Sequence, residues 1–464
     1  MAAKPARIIY FPMEIAAREL DSRLLMAVIA IARGFEVVLG QKWLIERNIE
    51  YMTPGVYFSK TLTVRDARML QRAKQAGYIT AAIDEESPGL AVEHDSFWWV
   101  SAAAVATTDM IFMPGARNIR HFTACHDVPE SHVRPAANPR WDLLRRELRP
   151  VLEPEAAELR ARHGDFILVN SNLGLSNSKK GSAAEMIKGL IDQGKVDPSD
   201  ARLIKMLDDI VEMEAVNRQA LLELLPRLAE RFPNVKIILR PHPSEDLDVW
   251  SGWVAGIPNL AVIREGSAIP WIMAARLLVH TNCTTGVEAV ALDRPAICVV
   301  PAENPANARY LANQVNPVVA TAEETLAMVA RVLDDPRSCY TPAMIATFRD
   351  RMSHELDRLG TEAVIDAIAG LGDAAFDNAP ALANVSAWRP FGRYRWNIKD
   401  KNVRGTLFPV IDMTEVQERI ERFQTLLGLD VRMRIETCGN KVLLLSPRPL
   451  AFRTRVRRAV GQRW

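Results

Sequence analysis

The sequence predicts two successive doubly wound α/β domains, each built on a parallel sheet, followed by a small α+β appendage. Three observations carry this. The 464 residues suffice for about three domains at roughly 150 residues apiece. Short runs rich in β-branched and aromatic residues alternate with segments of helical periodicity, the pattern of repeated strand–helix–strand units. The alternation restarts after a charged stretch, residues 145–162, which reads as an interdomain linker. The expected domains are therefore 1–150, 151–372 and 373–464.

In the first domain, residues 7–11 read as a strand. A helix with Glu19 and Asp21 in its first turn and Leu24, Leu25, Val28 and Ile29 on one face follows, closing at Gly34. Residues 35–39, 55–59, 78–83 and 109–113 are four further strands. In the second domain the strands are 166–170, 235–239, 260–263, 277–280 and 296–300, with a long helix across 201–231. Residues 172–200, rich in Ser, Asn, Gly and Lys, read as a mobile loop or insertion. Beyond 373 an irregular stretch carries Pro380, Trp388, Pro390 and Trp396. A helix with a Thr414-x-x-Gln417 capping pattern follows, then short strands near 430–435 and 441–446.

Composition narrows the function. With 48% apolar and 25% charged residues the chain has the mix of a folded soluble protein. A net charge of +2 argues against a protein that coats nucleic acid. The five cysteines, at 125, 283, 298, 339 and 438, are far apart and form no CxxC pair, so neither a disulfide framework nor a structural zinc site is expected. The first apolar run stops at Glu14, too short for a signal peptide. The longest uncharged stretch, 96–108, is too short to span a bilayer. The expectation is a cytoplasmic protein that binds no metal or cofactor; His94, His121, His126 and His132 show no regular ligand spacing.

Doubly wound domains bind ligands outside the carboxyl ends of their strands, and three motifs fall there. Arg240-Pro241-His242-Pro243 directly follows the strand 235–239. The prolines stiffen the turn; Arg240 suits a phosphate through its guanidinium fork, and His242 a phosphate oxygen or a leaving group. A rigid turn whose histidine caps a carbonyl is the plainer alternative. Thr281-Asn282-Cys283-Thr284-Thr285-Gly286 follows the strand 277–280 and opens a short helix carrying Glu288. Its hydroxyls and amides suit an anion and Glu288 suits ribose hydroxyls, against a simple helix cap at Thr284 or Thr285. Asp84-Glu85-Glu86 ends the fourth strand of the first domain. Repulsion among three adjacent acids is expected to raise the pKa of at least one, giving a base or a carboxylate nucleophile; a solvated acidic turn is the alternative. Ser171 and Asn172 after the strand 166–170, Glu14 and Arg18 in the first strand-to-helix turn, and Asn138 and Arg140 in Asn138-Pro139-Arg140 complete the set expected around a cleft. The first turn lacks GxGxxG, so no dinucleotide fingerprint is present.

Over roughly residues 7–370 these motifs resemble bacterial surface-carbohydrate biosynthesis proteins of the GT-B glycosyltransferase plan, with two facing Rossmann-like domains. The resemblance rests on residues 14–21, 84–86, 138–142, 240–243 and 281–289. Within that group the chain is similar to Kdo transferases of capsule and lipopolysaccharide assembly and to GT-B sialyltransferases. The resemblance implies a metal-independent glycosyltransferase with an acceptor-side N-terminal domain and a nucleotide-donor C-terminal domain. The donor would be a CMP-linked sugar of the Kdo or sialic type, and the acceptor a glycan or glycolipid. Asp84 or Glu85 would be the base or nucleophile, His242 would contact the CMP phosphate, and Thr284 and Thr285 would hold phosphate. The sequence departs from the pattern where Ser87-Pro88 separate the acids from Gly89, and where the hydroxyl pair is Thr-Thr. CDP-polyol phosphotransferases and sugar-nucleotide 2-epimerases share the architecture, and a non-catalytic nucleotide-binding scaffold is a further alternative.

The last segment, 441–464, holds Lys441 and Arg448, Arg453, Arg455, Arg457, Arg458 and Arg463 without an acid. Removing these seven positives from +2 leaves −5 for residues 1–440. With Phe452 and Trp464 interleaved, the segment is read as an arm for an anionic membrane surface, which would place the protein peripherally on the inner face of the cytoplasmic membrane. A solubilising tail is the alternative, and no nucleic-acid partner is expected.

Overall fold

A computed structural model of the chain describes residues 7–85, 89–91, 97–356, 358–377, 408–437 and 440–447. Glu86, Pro380, Trp388, Pro390, Trp396 and the arginines from 448 onward lie outside them. The chain divides into two compact units. The first comprises Met1–Glu85, Val100–Leu143 and His354–Trp464; the second comprises Glu86–Trp99 and Leu144–Ser353.

The first unit is built on β1 (Ile8–Met13), β2 (Glu36–Gln41), β3 (Val56–Ser59), β4 (Ile79–Ile83), β5 (Met110–Met113), β6 (Val133–Pro135), β13 (Met433–Thr437) and β14 (Val442–Pro447). They form one sheet in the order β13-β14-β2-β1-β3-β4-β5-β6, parallel through β1 to β6. Parallel strands covered on both faces read as continuous apolar runs, and β1 is buried at every position. The helix Ala16–Ala32 is buried without a break from Ser22 to Ile31, because the helices Gly360–Ala369 and Met413–Leu427 pack against it in addition to the sheet.

Here the structure departs from the expected appendage. β14 pairs antiparallel with β2, Leu444 opposite Val38, and β13 pairs with β14, so both strands extend the first sheet. Gly40 permits this: a Cβ there would lie 2.4 Å from the Lys441 carbonyl oxygen. The expected basic arm is also shortened. Lys441 is buried and 442–447 is a strand, so only 448–464 is left for it, outside the described residues. The helix at 413 is capped by Asp412, whose carboxylate accepts from the Thr414 and Glu415 amides, and not by the Thr414–Gln417 pattern. Asp412 stands at the commonest kind of N-cap position.

The second unit contains β7 (Phe166–Asn170), β8 (Lys236–Leu239), β9 (Leu260–Val262), β10 (Leu277–His280), β11 (Ala296–Val299) and β12 (Val318–Val319). The order is β12-β11-β10-β7-β8-β9, all parallel. The chain runs from β7 outward to β9, then returns to β7 on its other side, which makes the end of β7 the point where strand order reverses. The expected linker is structured: Glu153–His163 is a helix packed on Ala268–Ala274 within this unit. Nor is 172–200 a free loop. It contains the helix Ala183–Asp192, closed by a Ser182–Glu185 capping box, and its first part is tied down beside the Arg-Pro-His-Pro turn.

No helix among the described residues is long and apolar enough to cross a membrane.

Candidate functional site

In the second unit the loops after β7, β8 and β10 leave three adjacent strands at the order reversal, so their side chains share one edge of the sheet. The residues expected after each of these strands are brought together there. Asn170, the last residue of β7, donates through Nδ2 to Thr285 Oγ1 at 3.1 Å, and Asn172 Nδ2 donates to the Asn282 carbonyl at 2.9 Å. Thr284, at the N-cap position of the helix Thr285–Ala291, makes no side-chain capping bond. Gly89, carried in from the segment beyond β4, abuts Thr284 so closely that a Cβ would sit 3.0 Å from Thr284 Cγ2.

Several polar atoms at this edge are buried without a hydrogen-bond partner: Asn170 Oδ1, Thr281 Oγ1, Asn282 Oδ1 and Arg240 Nε. Buried polar atoms ordinarily find partners, so such a cluster marks a place made for a polar ligand or ordered water. Asn282 adds backbone strain, with φ of 44°, a left-handed conformation that clusters at functional sites. Arg240 donates to the Gly266 carbonyl at 2.6 Å. Burial, reinforced by the nearby Arg264, brings its guanidinium down to about 10; it stays a cation at neutral pH, and a nearby anion would favour that charged form. Glu288 is buried, with only 7% of its surface exposed.

Gly286 serves packing: a Cβ there would meet His280 Nε2 at 2.2 Å. Full burial lowers the His280 imidazole to about 3, so it stays neutral. Cys283 is buried and burial raises its thiol, in keeping with a packed loop residue.

The sequence reading missed the residue that organises the edge. Glu245 is fully buried and accepts from Ser171 Oγ at 2.9 Å, the Leu173 amide at 3.0 Å, the His242 amide at 3.0 Å and Trp250 Nε1 at 2.6 Å. One carboxylate thus fixes the loop after β7 to the turn after β8. Further links run alongside: Lys179 donates its amide to the Ser244 carbonyl and its Nζ to the Pro243 carbonyl, and Arg264 donates to the His242 and Glu245 carbonyls. The signal available was an acid two residues beyond Pro243, just outside a motif read only for its cation and imidazole.

Glu214, on the helix Ala201–Arg231, was missed as well. It accepts from the Leu175 and Ser176 amides at 2.9 and 2.6 Å. Burial, with the Glu245 charge adding to it, outweighs these bonds and pushes its carboxyl from 4.5 up to about 7. The folded state therefore favours the protonated form. That contribution is fully present below about pH 4.5 and is lost as pH rises through about 7. Glu214→Gln, neutral throughout, is expected to abolish this loss and to exceed the parent at about pH 8 by up to roughly 3 kcal/mol. Urea unfolding at about pH 5 and pH 8 checks it, and an unchanged pH dependence in the variant counts against it.

In the first unit several of the described acids are buried, and some of these are paired with cations. Asp84 and Glu85 are both buried, which contradicts a solvated acidic turn. Glu85 is engaged by Arg23, with NH2 to Oε1 at 2.6 Å and both side chains essentially inaccessible. Its neighbour is thus a cation, not only like charges, and its carboxylate is not presented as a free base. Glu14 lies 3.2 Å from Lys60, which also pairs with Glu19 at 2.8 Å. Burial alone raises the Glu19 carboxyl, but Lys60 and Arg23 bring it below its ordinary value. Arg18 lies half-buried on the helix that follows β1. Asn138 takes the turning role: its Oδ1 accepts from the Arg140 amide at 2.9 Å as the cap of Pro139–Asp142. Asp142 then caps the helix Gly360–Ala369 through the Gly360 and Thr361 amides. No group of three or more His, Cys, Asp or Glu among the described residues is placed to hold a metal ion.

The second unit is, then, a doubly wound α/β unit whose polar side chains gather where the strand order reverses. No protein-family model matches the chain, and no curated protein matches it. Solved structures do. The chain is similar to the UDP-GlcNAc 2-epimerase of Methanocaldococcus jannaschii in complex with UDP-GlcNAc and UDP, at 14% identity over 79% of this chain and 99% of that one, with a TM-score of 0.47. It is similar to a variant of the wall teichoic acid polymerase TagF at 12% identity, covering 79% and 89% of the two chains, with a TM-score of 0.49. It is also similar to Anabaena HepE in complex with UDP-glucose, at 10% identity over 79% and 100%, with a TM-score of 0.41.

Proposed function

We propose that the chain is a glycosyltransferase of the GT-B plan that uses a nucleotide-activated sugar in bacterial surface polysaccharide synthesis, its donor held by the second unit. The observation that carries the reading is the convergence after β7, β8 and β10. Arg240, His242, Ser171, Asn172 and residues 281–285 meet at one sheet edge, with buried polar atoms left unpartnered among them. Hydroxyls, amides, an imidazole and a cation suit a phosphate whose charge grows as the sugar departs, and fixed donors of this kind stabilise that charge without reorganising. Glu288 is the residue for the ribose hydroxyls. On the resemblance alone, the donor is a CMP-linked acidic sugar of the Kdo or sialic type and the acceptor a glycan or glycolipid. On the same resemblance, Asp84 is the acid assigned to activate the acceptor hydroxyl.

Incubation with CMP-, CDP- and UDP-linked donors, with and without acceptor, tests the reading. Transfer is expected with one nucleotide class and should fall by about a hundredfold in His242→Gln and in Asp84→Asn. Unchanged transfer in both variants removes the proposed site. Isomerised donor in the absence of acceptor identifies an epimerase instead.

A further inference from the structure

We propose that Ser244 is a positioning residue that fixes His242 as its Nε2–H tautomer, so that the neutral ring meets a phosphate oxygen as a hydrogen-bond donor; the proposal rests on the reading of this turn as part of the donor site. The Ser244 amide donates to His242 Nδ1 at 3.3 Å, and Ser244 Oγ lies 2.7 Å from the same atom. A backbone N–H only donates, so Nδ1 must present its lone pair, and the proton of the neutral ring resides on Nε2. The hydroxyl then donates as well.

The backbone beneath the ring is held on both sides. The His242 amide donates to Glu245 Oε1 at 3.0 Å, Arg264 NH1 donates to the His242 carbonyl at 2.9 Å, and Pro241 and Pro243 restrict the flanking torsions. The freedom that remains is rotation of the ring, and the bonds to Nδ1 limit it. Space for the serine comes from Gly174 in the loop after β7, where a Cβ would lie 3.0 Å from Ser244 Oγ and 4.0 Å from His242 Nδ1. The loop and turn that Glu245 ties together thus also share the seat of this hydroxyl. In this arrangement His242 stabilises developing phosphate charge without giving up a proton, the way an oxyanion-hole donor acts.

Two-bond proton–nitrogen correlation of ¹⁵N-histidine-labelled protein at about pH 8, above the ordinary imidazole pKa of about 6.5, reads the tautomer directly, with His242→Gln assigning the signal. The wild type is expected to show a protonated Nε2 and an unprotonated Nδ1. Ser244→Ala keeps the long backbone bond at 3.3 Å but loses the shorter hydroxyl bond at 2.7 Å, so it is expected to let the second tautomer appear beside the first and to weaken nucleotide binding about tenfold. Ser244→Thr should restore both, and Gly174→Ala, by displacing the hydroxyl, should shift both as Ser244→Ala does. A protonated Nδ1 in the wild type, or a tautomer unchanged in Ser244→Ala, overturns the proposal. If no nucleotide binds the wild type while Nε2 carries the proton, the donor-site reading falls and the tautomer assignment stands.

Discussion

Glu245→Ala is expected to destabilise the second unit by about 3–5 kcal/mol and to abolish nucleotide binding even where the fold survives. The carboxylate is fully buried and serves Ser171 and Leu173 in the loop after β7, His242 in the turn after β8 and Trp250 on the helix Leu247–Trp253. Truncation strands these donors in the interior and leaves a void. Glu245→Gln keeps one acceptor oxygen but sets an NH2 against donors, so about half the loss is expected to remain. For a unit of this size the alanine variant corresponds to a lowering of the melting temperature by roughly 10 °C. Hydrogen exchange at the ends of β7 and β8 locates the effect. Loss of protection confined to those ends, with β11 unaffected, is the expected pattern; unchanged protection there contradicts the role given to Glu245.

The second large effect lies in the first unit. Glu85→Ala removes the carboxylate bonded to the buried Arg23 guanidinium and leaves it the more distant Glu19 charge; breaking a buried pair from one side costs about 3–5 kcal/mol. Replacing both partners, as in Arg23→Met with Glu85→Leu, is expected to recover most of that loss, since an apolar pair needs no compensation in the interior. Because the chain has two compact units, one unfolding midpoint does not describe it. Protection of β1 and β4 amides is the appropriate readout. Equal protection in Glu85→Ala and wild type shows that the pair contributes nothing. Recovery of stability in the double variant marks the acid as a structural anion.

Much of the fold was legible because parallel strands buried on both faces leave unmistakable apolar runs: β1, β7, β8 and β10 all fall within a residue or two of where their sequences place them. The strands β13 and β14 were legible as strands, but their sheet was not. Strand pairing over some four hundred residues leaves no local mark, and the only clue was Gly40, whose missing side chain lets β14 approach β2. The same division holds at the site. The Arg-Pro-His-Pro turn and the Thr-rich helix start announce themselves by chemistry at strand ends. Glu245 and Glu214 do not, because an acid becomes notable only when folding buries it beside backbone amides from a distant loop. The acidic run shows the converse: Asp84 and Glu85 drew attention as neighbours in sequence, while Glu85's partner, Arg23, stands on another element. Asn138 reads as a cleft residue and serves as a cap, since the same side chain satisfies both descriptions until its partner is known.

The central claim, that the edge formed after β7, β8 and β10 binds a nucleotide phosphate, is tested most directly by calorimetric titration of CMP, CDP, UDP, GDP and ADP into wild type, His242→Gln and Thr285→Val. One nucleotide class is expected to bind the wild type and to lose at least about tenfold in affinity in each variant. Binding by none of the five, or equal binding by all three proteins, contradicts the claim.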